Sequence, residues 1–405
     1  MNYDEALDWL YSTQNFGIKL GLDAPKKLLR QFFANPTRET KVIHVAGTNG
    51  KGSTCAIIDA LARAAGIRCG LFTSPHLVSY CERIRVNGAM IPEEKALEHL
   101  SELKELVADW EHHPTFFELS LAVAMKHFKE SECELIILET GMGGRLDATT
   151  AVPADVCVIT PIALDHSEWL GDTLEKVAGE KAGIICENKP VLSAKQQRDA
   201  AMVIAEVADE RRALLSIIEG PLLGYTINLA GKHQAENAKL AIEAVNALEI
   251  PLDFDTVKYA LTNIQWPGRF ETISSHPYII IDGAHNPHAA DALVDTWHSE
   301  FPDQKATLIF GAVDDKEAAT VLEKLSTISD SIHLTPIDSP RSLDTSGLTK
   351  LLPHCAVETQ IESDLTSCLQ SLKNTSSPIL IAGSLFLIGQ AKAEIEHTDF
   401  QRSTQ

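Results

Sequence analysis

Residues Ala46-Gly47-Thr48-Asn49-Gly50-Lys51-Gly52-Ser53 follow the apolar run Lys41–Val45, and a stretch rich in Ala, Ile and Leu with helical spacing, Thr54–Ala65, follows them. Strand, glycine loop, lysine, hydroxyl and helix in that order make a phosphate cradle. Gly47, Gly50 and Gly52 let the backbone approach the phosphates and aim N–H groups at them. The helix N-terminus adds partial positive charge. Lys51 is placed to reach the outer phosphates, and the Ser53 hydroxyl to help hold Mg²⁺. The common form of this loop has Ser or Thr directly after Lys, whereas here Gly52 intervenes. The bland alternative is a glycine-rich strand-to-helix turn, but the flanking strand and helix are the context that the cradle needs.

The rest of the chain repeats the pattern. Short β-branched runs at Lys41–Val45, Leu135–Glu139, Val156–Thr160, Tyr278–Asp282, Ala306–Gly311 and Pro378–Gly383 read as strands. Amphipathic segments such as Glu93–Trp110, Glu118–Lys129 and Gln234–Ala247 lie between them and read as helices. This alternation predicts an α/β fold: a doubly wound phosphate-loop domain followed by a smaller Rossmann-like α/β domain. The turn signal Trp266-Pro267-Gly268 sets the expected boundary near 270, giving domains at 1–270 and 271–405. The polar stretch after Ile395 is expected to fray.

Composition narrows the partners. A net charge of −21 over 405 residues argues against nucleic acid and anionic membrane surfaces. No apolar run approaches the ~20 residues of a membrane span, and Met1–Leu10 lacks a signal-peptide pattern. The eight cysteines form no Cys-x-x-Cys pair, which argues against a zinc site or a disulfide framework and for reduced thiols in a cytoplasmic enzyme.

Several polar groups fall at expected strand ends, where open α/β sheets bind ligands. Glu139 is placed to hold Mg²⁺, and His166, in Ala163-Leu164-Asp165-His166, stands in similar territory. Taken singly, Glu139 is better explained as a solvated strand-end acid and His166 as a structural histidine; two such strand ends beside one phosphate loop shift the balance toward function. Lys181 sits in Gly179-Glu180-Lys181-Ala182-Gly183, for which macrodipole compensation near a helix end is the plain account. Asp282-Gly283-Ala284-His285-Asn286-Pro287 brings acid, imidazole and amide to one turn, or else is a helix start with Pro287 at its first position. Arg269 in the hinge is either solvated or a phosphate clamp between domains.

Taken together, these blocks resemble the Mur-ligase superfamily, specifically its folylpolyglutamate synthase/dihydrofolate synthase branch. The ordered set runs from about Leu20 to Gly389. Besides the segments above it includes Thr73-Ser74-Pro75-His76-Leu77, Glu82-Arg83-Ile84, Asn87-Gly88, Phe117-Glu118, Glu139 to Thr149, His233-Gln234 with Asn237, Pro267-Gly268-Arg269-Phe270-Glu271 and Gly383-Ser384-Leu385-Phe386. The Lys-Gly-Ser spacing is that family's own form of the loop.

The resemblance implies an ATP-dependent ligase forming C–N bonds. Such an enzyme adds L-glutamate to a folate, and to dihydropteroate as well, through an acyl phosphate. It implies ATP contacts from Gly47, Thr48, Asn49, Gly50, Lys51, Gly52, Ser53, Asn237, Arg269 and Asp282. Two Mg²⁺ sites are implied, drawing on Ser53, Ser74, Glu139 and His166, with a carbamylated Lys181. Lys51, Lys181, His166 and His285 would serve catalysis. Phe117, Arg145 and Asp147 would receive the pterin end of the substrate, and Ser384 with His285 would border the incoming glutamate. A monomer is expected. Thr150 departs from the family's usual Asn, and Pro340-Arg341-Ser342 only partly matches an Arg-Ala pair.

Two other families share features of this sequence. Peptidoglycan-type Mur ligases carry a further domain before the loop, where only about 40 residues stand here, too few for a usual domain. A GTPase-type switch calls for Asn-Lys-x-Asp, and Asn188-Lys189-Pro190-Val191 lacks the Asp.

Overall fold

The computed structural model describes residues 1–16, 21–165, 167–314, 317–339, 341–355 and 357–401. It divides into two units. The first comprises Met1–Ser74, Cys81–Asn228 and Ala235–Ile264; the second comprises Pro75–Tyr80, Leu229–Gln234 and Gln265–Gln405.

The first unit carries, among the described residues, an eight-stranded sheet: β1 (Lys41–Ala46), β2 (Cys69–Phe72), β3 (Ile84–Val86), β4 (Ala89–Met90), β5 (Leu135–Glu139), β6 (Val156–Ile159), β7 (Val191–Ala194) and β8 (Leu215–Ile218). Their spatial order is β4-β3-β2-β5-β1-β6-β7-β8. Pairings are parallel from β2 to β8, and only the β2–β3–β4 edge is antiparallel. Val42, Ile43, Val45 and Ala46 of β1 and Leu135–Leu138 of β5 are buried, the near-continuous apolar run of strands covered on both faces. The chain leaves β1 toward β2 on one side and later returns to β6 on the other. The strand order therefore reverses at β1, which is where a doubly wound sheet opens its ligand crevice. The register sets Glu139 beside Val45, so the β5 carboxylate stands level with the start of the glycine loop.

Helices begin where local capping chemistry permits. Phe116–Glu130 opens with a capping box, the Glu118 amide donating to Thr115 Oγ1 (3.3 Å) and the Thr115 amide to Glu118 Oε2 (2.7 Å). Leu174–Ala182 is capped by the Thr173 hydroxyl. Among the described residues no helix is long and apolar enough to cross a membrane.

The second unit carries β9 (Glu271–Ser275), β10 (Tyr278–Ile281), β11 (Ala306–Phe310), β12 (Ser329–Leu334), β13 (Glu358–Ile361) and β14 (Ile379–Ala382), in the order β13-β12-β11-β14-β10-β9. Among the described residues, only β9 runs antiparallel to its neighbour. Leu308, Ile332 and Leu380 pack with Trp297 on one face, and Ile309, Ile381 and Leu387 pack with Cys368 on the other. The segment expected to fray is tied down as far as Gln401. Its amide donates to Val78 O (2.8 Å), and its side-chain Oε1 accepts from the Tyr80 amide (2.7 Å).

Candidate active site

The glycine loop is held in one shape by its neighbours. Gly50 caps the helix Lys51–Ala64 with φ +86°, and a Cβ there would lie 2.6 Å from Asn237 Oδ1. Gly47 has φ +149°, and a Cβ there would collide with the Thr160 hydroxyl. Only glycine meets both demands at both positions. The Thr48 and Asn49 amides donate to Pro161 O (3.0 and 3.2 Å), and Thr48 Oγ1 donates to Ala163 O (2.9 Å). The first helical bond is Thr54 N to Gly50 O (2.8 Å), so the Lys51 and Gly52 amides stand at the helix mouth ahead of the hydrogen-bonded ladder. Lys51 Nζ turns back to donate to Thr48 O (3.1 Å), and Ser53 is buried in the first turn.

Two buried charged groups border this loop. The Glu139 side chain is 4% exposed, and its Oε2 accepts from the Ser74 amide (3.0 Å). Lys181 is 3% exposed and donates from Nζ to Gly47 O (2.7 Å). Burial, aided by the charge of Lys51, pushes the Lys181 amine down from 10.5 to about 7, against the pull of Asp165 and Asp147. Lys181 lies in the last turn of its helix, but its charge turns inward to the loop. That is not the exposed placement that macrodipole compensation would use. His166 lies outside the described residues.

The loop after β5 folds around Asp147. Its Oδ2 accepts from the Gly141 and Met142 amides (3.0 and 2.9 Å); its Oδ1 accepts from the Thr149 amide (3.0 Å) and, in a short bond, from the Thr149 hydroxyl. The Thr149 hydroxyl donates its one hydrogen to Asp147. It therefore accepts from His44 Nε2 (2.7 Å), so His44 is the Nε2–H tautomer. Burial holds His44 neutral, pushing it from 6.5 to about 3. Burial also raises Asp147, and its four donors work against that rise. Neither His44 nor Thr149 carries a role in the sequence reading, although both stand inside the quoted blocks; a histidine within the apolar strand leading to the phosphate loop is the signal available. Arg145 donates through Nη2 and Nε to Glu180 Oε1 (2.7 and 3.2 Å). The Phe117 ring packs on Phe72 (5.5 Å between centroids) and over Gly141. Thr150, the departure from the family pattern, donates to Gly144 O (2.7 Å).

In the second unit the hinge and two strand ends meet. Asp282 accepts from the Phe270 and Ala284 amides (2.9 and 2.8 Å). Burial raises its carboxyl, and the Arg269 guanidinium draws it down. Arg269 Nη1 and the Gly283 amide both donate to Gly268 O (3.0 Å each). His285 is exposed and donates from Nδ1 to Gly283 O (2.8 Å), which leaves the Nε2 lone pair as the ring's basic site. The Gly383 amide donates to Ala284 O (3.1 Å), setting Ser384, the N-cap of Leu385–Glu396, beside this turn. Asn286 caps Pro287–Glu300 with Pro287 at its first position, so the turn is a helix start as well as a polar cluster. The structure thus gathers Arg269, Asp282, His285 and Ser384 in one unit. In the other it gathers the loop with Asn237, Glu139, Ser74, Lys181, Phe117, Arg145 and Asp147.

Two family descriptions match the chain: the Mur ligase middle domain over residues 45–193, and the Mur ligase glutamate ligase domain over residues 268–385. A dihydrofolate synthase/folylpolyglutamate synthase of Bacillus subtilis is 32% identical over 97% of this chain and 99% of its own length. The structure of E. coli FolC in complex with DHPP and ADP superposes with a TM-score of 0.87 at 30% identity, covering 97% of this chain and 98% of that one. A bifunctional folylpolyglutamate synthase/dihydrofolate synthase from Yersinia pestis, complexed with AMPPNP and Mn ion, gives 0.87 at 31% identity, covering 98% of each chain. The chain belongs to the dihydrofolate synthase/folylpolyglutamate synthase family, ATP-dependent ligases that join glutamate to a folate.

Proposed function

We propose that the chain carries out both family reactions, adding L-glutamate to dihydropteroate and to tetrahydrofolate polyglutamates. The acceptor carboxylate attacks the γ-phosphorus of ATP, giving an acyl phosphate and ADP. The glutamate amine then attacks the acyl carbon, and phosphate leaves. Such a transfer needs positioning and charge neutralisation rather than covalent help. The observation that carries the reading is the Gly47–Ser53 loop, held rigid at the switch point of the sheet with a lysine and a helix mouth facing one place.

In this reading Gly47–Ser53 hold the phosphates, and Lys51 leaves the Thr48 carbonyl to neutralise the γ-phosphate. Asn237, Arg269 and Asp282 contact ATP. Phe117 and Arg145 receive the pterin end. Asp147, with its carboxylate spent on four donors, shapes their loop. His285 and Ser384 border glutamate. Ser53, Ser74 and Glu139 offer the oxygen donors that Mg²⁺ prefers, in keeping with a buried carboxylate level with the loop; His166 is proposed for a second ion. Bound Mg²⁺ would supply neutralisation of phosphate charge. Lys181 is proposed to be carbamylated: its unprotonated amine adds to CO₂, forming an N–C bond and losing a proton. An amine drawn down to about 7 has the free lone pair this needs near neutral pH.

The test is to incubate the protein with MgATP and radiolabelled glutamate, giving dihydropteroate and tetrahydrofolate in separate reactions. Label is expected in both products. Incorporation from one acceptor alone reduces the reading to a single activity, and ATP turnover indifferent to both overturns it.

A further inference from the structure

We propose that His333, Glu362 and Cys368 form a binding site for a borderline-soft divalent cation of the zinc type, within the second unit and independent of the reading above. One ligand atom from each lies within 4.8 Å of the other two. The three come from separate elements. His333 is on β12, Glu362 follows β13, and Cys368 is on the helix Leu365–Ser371. Ile332 and Leu334 point into one core, so strand alternation turns His333 to the opposite face, where Cys368 packs. The Glu362 amide donates to Leu334 O (2.8 Å), which extends the β12–β13 pairing and fixes the carboxylate beside His333. Asp364 caps the cysteine's helix through Oδ1 to the Ser367 amide (2.7 Å), holding the thiol in place.

The donor set is imidazole nitrogen, carboxylate oxygen and thiol sulfur, which is zinc's chemistry and leaves a fourth position open. His333 Nδ1 and Glu362 Oε1 are hydrogen-bonded at 2.7 Å. A cation between them would replace that hydrogen bond and open the pair to about 3.3 Å, the spacing of two tetrahedral ligands. Burial and the carboxylates of Glu362 and Asp364 push the Cys368 thiol up to about 12. That same negative field attracts a cation. A thiolate and one carboxylate then balance its two charges, with neutral His333 as third ligand. The plain alternative is a buried His–Glu hydrogen bond beside an inert thiol. Cysteine spacing gives no sign of the site, because its ligands are single residues on three separate elements rather than closely spaced pairs.

Titrate the full chain, without nucleotide, with Co²⁺. One equivalent is expected to give a thiolate-to-cobalt charge-transfer band that Zn²⁺ abolishes by displacement; a cation on the oxygen donors of the phosphate loop gives no such band. Cys368→Ser and His333→Gln should each lose it, with circular dichroism verifying the fold. No band in the unmutated protein, or a band that survives Cys368→Ser, overturns the proposal without touching the ligase reading.

Discussion

Lys181 donates from Nζ to the carbonyl of Gly47 at 2.7 Å, so a buried amine on one helix braces the first glycine of the phosphate loop. Its cost depends on pH. The folded value of about 7 lies below the ordinary 10.5, so between these the unfolded chain binds more protons and stability rises with pH. In CO₂-free buffer, Lys181→Met is expected to be more stable than the parent near neutrality, with the gap closing toward about pH 10. Urea midpoints across that range measure this, and a gap constant with pH removes burial of the charge as its cause. Lys181→Ala activity should also return in part with a small added carboxylate.

Gly50→Ala and Gly66→Ala separate strain from collision. Both positions have left-handed φ (+86° and +80°), but a Cβ meets Asn237 only at Gly50. Each change should cost about 1–2 kcal/mol of stability. Gly50→Ala alone should also lower kcat/KM for ATP by about 100-fold, the scale of an ångström's misplacement. Equal kinetic effects would argue against a shaped loop.

Lys51→Ala should abolish ligation while leaving circular dichroism and the unfolding midpoint close to the parent's, because its described hydrogen bond is local, to Thr48 O. Retained turnover would remove the cradle from the mechanism.

Thr149→Val deletes the hydroxyl that links His44 to Asp147. Leaving buried polar groups without a partner should cost about 1–3 kcal/mol. If Asp147 shapes the pterin loop, KM for the folate acceptor rises several-fold more than KM for ATP. Equal rises would assign the chain of bonds to general stability.

His285→Ala touches an exposed ring whose described bond is to its own turn. Stability should stay within about 0.5 kcal/mol while turnover falls, as measured by urea unfolding beside initial rates. Unfolding without a kinetic loss would make the ring structural.

The central strands were legible because parallel strands buried on both faces read as uninterrupted apolar runs; β1, β5, β6, β10, β11 and β14 are of this kind. The edges were not. Neither β8 nor β9 has a fully buried residue, so neither Leu215–Ile218 nor Glu271–Ser275 carries a burial signal. β3 and β4 are three and two residues long, too short for periodicity. The phosphate loop was legible because its chemistry is local in sequence. Lys181 was visible as a residue, but its inward direction depends on a carbonyl 134 positions away. The links among His44, Thr149 and Asp147 span 105 positions and are set by strand register rather than by any motif.

β1 is paired on both flanks, with β5 over Lys41–Val45 and with β6 over Ile43–Ala46. Amide hydrogen exchange there should be among the slowest in the chain, since the innermost strands open only when the whole unit does. The glycine loop therefore hangs from the last part of its sheet to come apart. Heating should release β8 and the β3–β4 ribbon before the nucleotide cradle is disturbed.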